Sequence, residues 1–241
     1  MNKKIIITIK KKRHLIEIEK NSISKKIENI ISQNNNVFFL VDKKIFNIFQ
    51  KVKNYRNQKY ITISCSEKIK SLHYYSLLCN KILKMGVDRK SVLVAIGGGT
   101  LGDLSGFLAS TVLRGIDLVL VPTTLLSQVD SSIGGKNGIN TSFGKNLLGT
   151  FHQPKLVIID PCVLSSLPKR ELLSGYAEIV KHSIINDKKF FNWLNINSKE
   201  IFNLNFKVIS NAIYKSILIK KKYVLKDEKE KLKNRYSRAI L

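Results

Sequence analysis

The densest chemistry in the chain sits in Gly97-Gly98-Gly99-Thr100-Leu101-Gly102-Asp103, between the apolar run VLVAI (92–96) and a helical pattern reaching about Val112. Glycines let a backbone approach a phosphate closely, and a helix N-terminus offers free N–H groups and a partial positive charge. The run also satisfies G-x-G-x-x-G, so a phosphate or dinucleotide site is the expected chemistry. An ordinary dinucleotide dehydrogenase is disfavoured. The next strand begins at Asp117 and ends on Pro122-Thr123-Thr124, with no acid at its end to grip a ribose.

The stretch PTTLLSQVDSSIGGKNGINTSFGKN (122–146) is polar, glycine-rich and long for a connection in an α/β domain, a length that usually marks function. Lys136 and Lys145 each follow a glycine and precede an asparagine, close to Asp130. A single such lysine is ordinarily a solvated side chain; two Gly-Lys-Asn turns this close point to contacts with an anion. A Walker A loop is excluded by spacing, because Asp130 and Ile139 stand where its leading glycine belongs.

Gly175-Tyr176-Ala177-Glu178-Ile179-Val180-Lys181-His182 reads as helix, with Glu178 and Lys181 on one face. One reading is a surface ion pair; the other is a metal-ligating carboxylate beside a substrate-binding lysine. No H-E-x-x-H is present, so His182 is expected to be a non-ligand, and His14, His73 and His152 lie in unrelated contexts. Cys65, Cys79 and Cys162 lack C-x-x-C spacing, which argues against a disulfide framework or a thiolate zinc site and predicts buried free thiols.

The elements that must position these groups alternate. A strand pair is expected over 3–9 and 15–19, then a helix capped by Ser22, strand VFFLV (37–41), a short helix and strand YITIS (60–64). A helix over 67–85 ends at Gly86. Strands at 92–96, 117–121 and 156–160 follow, with helices after the first and over 124–133, and a glycine-rich loop over 134–149. That order predicts an α/β fold, a mostly parallel sheet covered by helices. After Pro168 only helices are expected, over 169–186, 188–194 and 198–225. The division is therefore residues 1–167 as an α/β domain and 168–241 as an all-helical one.

The 241 residues suit one large domain, or one domain and part of another, and 44% apolar content excludes global disorder. No apolar run approaches the length of a membrane span, and the basic start lacks a signal peptide's apolar core, so a soluble, cytoplasmic protein is expected. The net charge of +25 invites a nucleic-acid reading, yet residues 91–186, which carry every motif above, hold seven Lys/Arg against six acids. The excess lies in segments rich in Lys, Asn and Ile, a compositional bias. Nucleic acid is not an expected partner, although the field should speed encounter with an anionic substrate.

The motifs of residues 92–194, in this order and spacing, resemble the core of 3-dehydroquinate synthase, with weaker similarity toward both ends. The resemblance implies a Rossmann-like NAD-binding domain followed by a helical metal- and substrate-binding domain. It implies conversion of 3-deoxy-D-arabino-heptulosonate 7-phosphate, an anionic sugar phosphate, to 3-dehydroquinate and phosphate in the shikimate pathway. NAD is used transiently, with zinc or cobalt as the divalent metal. By the same resemblance Gly98, Gly99, Thr100, Leu101, Gly102 and Asp103 bind the cofactor, as do Glu67 and Lys70, Asp42, Thr123 and Thr124, and Val163, Leu164, Ser165 and Ser166. Asp130, Lys136, Lys145, Asn146 and Lys181 match substrate-site positions, with Lys136 and Lys145 also near the cofactor. Arg114 matches an arginine that reaches a neighbouring subunit's substrate phosphate, which implies a homodimer. Glu178 matches the first metal ligand.

The sequence departs from the family in places. Lys44 stands where an asparagine is common after the Asp42 position, and Lys220 only loosely matches a substrate lysine within a run of three. Asp227, Glu228 and Glu230 resemble the family's acidic segment, a longer basic connection fills 231–237, and Arg238-Ala239-Ile240-Leu241 resembles the following arginine and apolar run. The family's Gly-His segments are not in these residues, so this chain as it stands is expected neither to hold zinc tightly nor to turn over, because a catalytic zinc takes about three protein ligands. A related sugar-phosphate cyclase of the deoxy-inosose synthase type, an inactive NAD-binding remnant and a polyanion-binding protein are the competing readings.

Overall fold

A computed structural model describes residues 2–9, 11–229 and 240. Nine strands and eight α-helices occur among them. The strands are β1 (Asn2–Ile9), β2 (Lys12–Glu19), β3 (Val37–Asp42), β4 (Lys59–Ile63), β5 (Val92–Gly97), β6 (Asp117–Pro122), β7 (Lys136–Thr141), β8 (Gly144–Phe151) and β9 (Leu156–Ile159). The helices are α1 (Ile23–Gln33), α2 (Phe46–Gln50), α3 (Leu72–Lys84), α4 (Gly99–Thr111), α5 (Lys169–Asn186), α6 (Lys188–Ile196), α7 (Ser198–Phe202) and α8 (Phe206–Lys226).

Seven strands form one sheet in the order β1-β2-β9-β6-β5-β3-β4. Every neighbouring pair from β2 to β4 is parallel, and β1 pairs antiparallel on β2. Helices cover both faces, so the central strands are apolar on both sides, as expected of a parallel sheet. Phe39, Val41, Val94 and Ile96 face α1 and α2, while the alternating Phe38, Leu40, Leu93 and Ala95 join α3, α4 and the later helices in a second core. That second core runs without interruption from the sheet to Leu172, Ile179 and Ile213.

The topology creates a crevice. The chain leaves β3 toward β4 on one side and leaves β5 toward β6 on the other, so the strand order reverses between β3 and β5. Ligands of open parallel sheets bind at the carboxyl ends of strands at such a point. Here those ends carry Asp42 and the Gly97–Gly99 turn.

Several expectations are corrected. The stretch 134–149, expected as a loop, contains the β7–β8 hairpin, a separate two-stranded sheet. It lacks strand-like alternation because it lies flat on α4 through glycines: Gly138 pairs with Gly149, and a Cβ at Gly106 would fall 1.7 Å from Asn137 Oδ1. The helix expected over 124–133 is short and ends in a π-turn, Ser127–Ser131. The expected helix 198–225 is two helices, broken at 203–205 where Leu204 takes a positive φ of 56°. Ser22 stands at the N-cap of α1 without capping it; its hydroxyl donates to the Glu19 carbonyl instead. The three cysteines are free but only partly buried. Glu230, the stretch 231–237, Arg238, Ala239 and Leu241 lie outside the described residues. No helix among the described residues is long and apolar enough to cross a membrane.

Candidate active site

β5 delivers the chain straight into the glycine turn. Gly98 is the N-cap of α4 and provides no side-chain cap, and no acid stands in the first turn. The first N–H groups of the helix are thus open toward an anion. The turn is tightly enclosed: a Cβ at Gly99 would meet Ser131 Oγ at 2.7 Å, and one at Gly98 would meet Thr124 Cγ2 at 3.1 Å. Asp42 ends β3 beside this turn, with its carboxylate accepting the Lys44 N–H at 3.1 Å. Thr123 is buried and its N–H donates to the Gly97 carbonyl, while Thr124 exchanges hydrogen bonds with Ser127 at the start of the π-turn.

Of the residues expected at the cofactor, Leu101 and Leu164 are core: both side chains are buried, leaving only their backbones to take part. Val163, Ser165 and Ser166 line a cavity of about 420 Å³ with Asn21, Asn47 and Lys51. Those last three were not foreseen, because nothing in their local sequence marks them; the turn between β2 and α1 brings Asn21 to the end of β9, and α2 with its C-cap brings Asn47 and Lys51.

Asp103, one turn into α4, faces a second cavity of about 560 Å³ lined also by Asp130, Lys136, Asn146 and Lys220. The structure therefore gathers four of the expected residues with the loosely matched Lys220. Lys70, nearly inaccessible, donates to Asp103 Oδ2 at 2.7 Å and to Asn146 Oδ1 at 2.5 Å. Asn140, absent from the sequence reading, donates to Glu67 Oε1 at 2.8 Å and accepts the Asn146 N–H at 2.9 Å. These bonds fasten the hairpin to the 67–70 turn. Burial pushes the Asp103 carboxyl upward, Lys70 offsets part of that rise, and Asp130 and Glu67 add to it. Lys145 is exposed on the hairpin and does not line the cavity. Arg114 is exposed too, in a turn where Leu113, Arg114 and Gly115 all have positive φ.

The π-turn places Asp130 at the junction with the helices, where it pairs with the buried Lys220 of α8. Across from it, α5 presents Glu178, His182 and Lys181. Glu178 Oε1 lies 2.6 Å from Lys181 Nζ and 3.0 Å from His182 Nε2. Of the two readings of this pair, the carboxylate is enclosed, with the Glu178 side chain 14% exposed, while the Lys181 side chain stays 40% exposed. Burial acts to raise the Glu178 carboxyl, but the hydrogen bonds and charges of His182 and Lys181 outweigh it and hold it at about 2. Ligand atoms of Asp130, Glu178 and His182 lie within 4.8 Å of one another. His182 Nε2 is buried without a well-aligned hydrogen bond, while Glu178 Oε1 keeps the Lys181 ammonium beside it. An ionised carboxylate, a second acid and a buried ring nitrogen without a hydrogen bond fit a divalent cation.

Family models for the N-terminal and C-terminal parts of 3-dehydroquinate synthase match residues 60–174 and 175–238. A 3-dehydroquinate synthase of Pelagibacter ubique is 48% identical over 218 residues, 87% of this chain and 59% of the relative. One from Prochlorococcus marinus (strain MIT 9215) is 40% identical over 243 residues, covering 95% and 67%. The chain thus spans about three fifths to two thirds of the length of these relatives. Among solved structures, a 2-deoxy-scyllo-inosose synthase complexed with carbaglucose-6-phosphate, NAD⁺ and Co²⁺ superposes with a TM-score of 0.84 at 25% identity, covering 98% of this chain and 67% of that one.

Proposed function

The chain belongs to the 3-dehydroquinate synthase family, and from that premise we propose that the protein converts 3-deoxy-D-arabino-heptulosonate 7-phosphate to 3-dehydroquinate and phosphate, as an NAD- and divalent-metal-dependent carbon–oxygen lyase. The observation that carries this reading is the convergence of Asp103, Asp130, Lys136, Asn146 and Lys220 on one cavity, with ligand atoms of Glu178 and Asp130 within 4.8 Å of each other.

The open N–H groups of α4 receive the cofactor's diphosphate, and the tight fit around Gly98 and Gly99 sets how closely it approaches. Asp103 fixes the adjoining sugar. Lys136 and Lys220 supply positive charge to the anionic substrate, while Asp130 holds the Lys220 ammonium in the cavity until substrate arrives. Glu178 would hold the metal, with Asp130 and His182 beside it, and His182 and Lys181 keep that carboxylate ionised. When bound, NAD⁺ takes and returns a hydride and the metal polarises the reacting oxygen. Arg114, exposed on its strained turn, is the residue for a second copy's substrate phosphate in a homodimer.

A related cyclase is the second reading, since the inosose synthase has the same fold. Identity of 40–48% to 3-dehydroquinate synthases against 25% to that enzyme favours the first. The test is release of inorganic phosphate and formation of 3-dehydroquinate from the heptulosonate phosphate with NAD⁺ and Zn²⁺ supplied. Failure to bind NAD⁺ in calorimetry overturns the cofactor reading; turnover of glucose 6-phosphate instead selects the alternative.

A further inference from the structure

Asn140 stands on β7 at a break in the hairpin, and the chemistry proposed above makes no use of it. The ladder pairs Ile139 with Leu148 and then Thr141 with Gly144, so Asn140 stands against residues 145–147. Bulges of this kind re-aim side chains, and they recur beside active sites. The Asn140 N–H turns to the segment before α3, where it donates to the Lys70 carbonyl at 2.8 Å, and the residue bridges to Ser71. Its side chain reaches in two directions. Nδ2 donates to Glu67 Oε1, and Oδ1 accepts the Asn146 N–H. An ionised carboxylate only accepts and a backbone N–H only donates, so these partners fix which way the amide faces.

Asn146 lies inside the bulge with a positive φ of 57°. That left-handed conformation is unfavourable for a residue with a Cβ and needs surrounding contacts to hold it. The Asn140 side chain bonds the N–H at one end of the rotated bond. Held this way, Asn146 lines the cavity with Lys136 and Lys220, and its Oδ1 accepts from the buried Lys70. We propose that Asn140 is a positioning residue: its Oδ1 locks Asn146 in the left-handed bulge and so aims the Asn146 amide at the anionic substrate, while its Nδ2 ties the bulge to Glu67 on the cofactor side. The proposal rests on the reading of Asn146 as a substrate contact, and it adds the residue that sets the direction of that contact.

Two measurements test it. In hydrogen exchange followed by NMR, the Asn146 amide of the unmodified chain should be protected by about 10-fold relative to an unbonded amide, and Asn140→Ala should remove that protection. A freely exchanging Asn146 amide in the unmodified chain overturns the proposal, and that result needs no variant to fold. The second is a double-mutant cycle read by calorimetry of 3-deoxy-D-arabino-heptulosonate 7-phosphate, without NAD⁺ so that no hydride transfer consumes it. Asn146→Gly removes the amide yet suits the left-handed backbone. It and Asn140→Ala should each weaken binding by about 10-fold, and the double variant should lose no more than either alone. Losses that multiply make Asn140 a general support of the hairpin and overturn the proposal. Unchanged binding in Asn140→Ala overturns it too. If the unmodified chain does not bind the heptulosonate phosphate, the function proposed above fails and the inference with it; multiplied losses in a chain that does bind overturn the inference alone.

Discussion

Lys70 Nζ lies 2.7 Å from Asp103 Oδ2, joining the turn before α3 to the first turns of α4. The lysine side chain is 5% exposed and the carboxylate 22%, so the pair is shielded from water but opens on the cavity. Because the same ammonium also donates to Asn146 Oδ1, one charge ties together three segments far apart in sequence. Removing it by Lys70→Met leaves a desolvated carboxylate without its partner. We expect a loss of about 2 kcal/mol, roughly 4–8 °C in melting temperature, below the full cost of a buried pair because Asp103 keeps some solvent contact. Differential scanning calorimetry measures it; an unchanged melting temperature contradicts the clamp.

Asp103 itself is expected to matter for cofactor binding more than for folding. Asp103→Ala should weaken NAD⁺ binding by about 10- to 100-fold, the size of one hydrogen bond to a charged group. Isothermal calorimetry reads this directly, and unchanged affinity removes Asp103 from the cofactor site.

Gly175 marks where the helical segment meets the sheet domain. A Cβ there would fall 2.5 Å from the Leu126 backbone nitrogen and 2.6 Å from Leu125 Cβ. The backbone cannot step aside cheaply, so Gly175→Ala should destabilise by about 1–3 kcal/mol despite alanine's better helix propensity. Urea titration of the two proteins tests this, and a more stable variant would show that α5 does not dock so tightly.

Glu178 gives a pH signature. Its carboxyl is held at about 2 in the folded chain against an ordinary value of 4.5. The folded state therefore binds this proton later than the unfolded one. Glu178 contributes stability above pH 4.5 that is lost as pH falls through about 2. Comparing thermal unfolding of the unmodified chain and Glu178→Gln across that window isolates the group. The difference between the two should shrink steadily toward the acid end, and a constant difference would contradict the shift.

The local chemistry was legible because it depends on short-range rules. A buried strand running into glycines and then a helix forms a strand–turn–helix, and the structure has it at 97–103. The parallel sheet was legible for the same reason, since VFFLV, VLVAI and LVLV are apolar on both faces. The hairpin was not. Its strands are held by glycine-mediated contact with α4 and by Asn137, Asn140 and Asn146, none of which leaves a period-two apolar pattern. His182 was expected to be a non-ligand, and its burial between Glu178 and Ser216, a residue 34 positions later on another helix, was not legible in the sequence around it.

The sequence by itself determined which groups are present and which local turns expose them: the glycine turn, Asp103, the Gly-Lys-Asn pairs, and Glu178 beside Lys181. Only the tertiary structure decided which of them meet. It brought Asp130, Lys136, Asn146 and Lys220 to one cavity, left Lys145 and Arg114 outside it, and turned a nominal surface ion pair into an enclosed carboxylate. The physical reason is range. Backbone conformation and apolar periodicity are set by neighbours a few residues away, whereas charge, proton position and ligand geometry are set by whatever the packed helices place within a few ångströms.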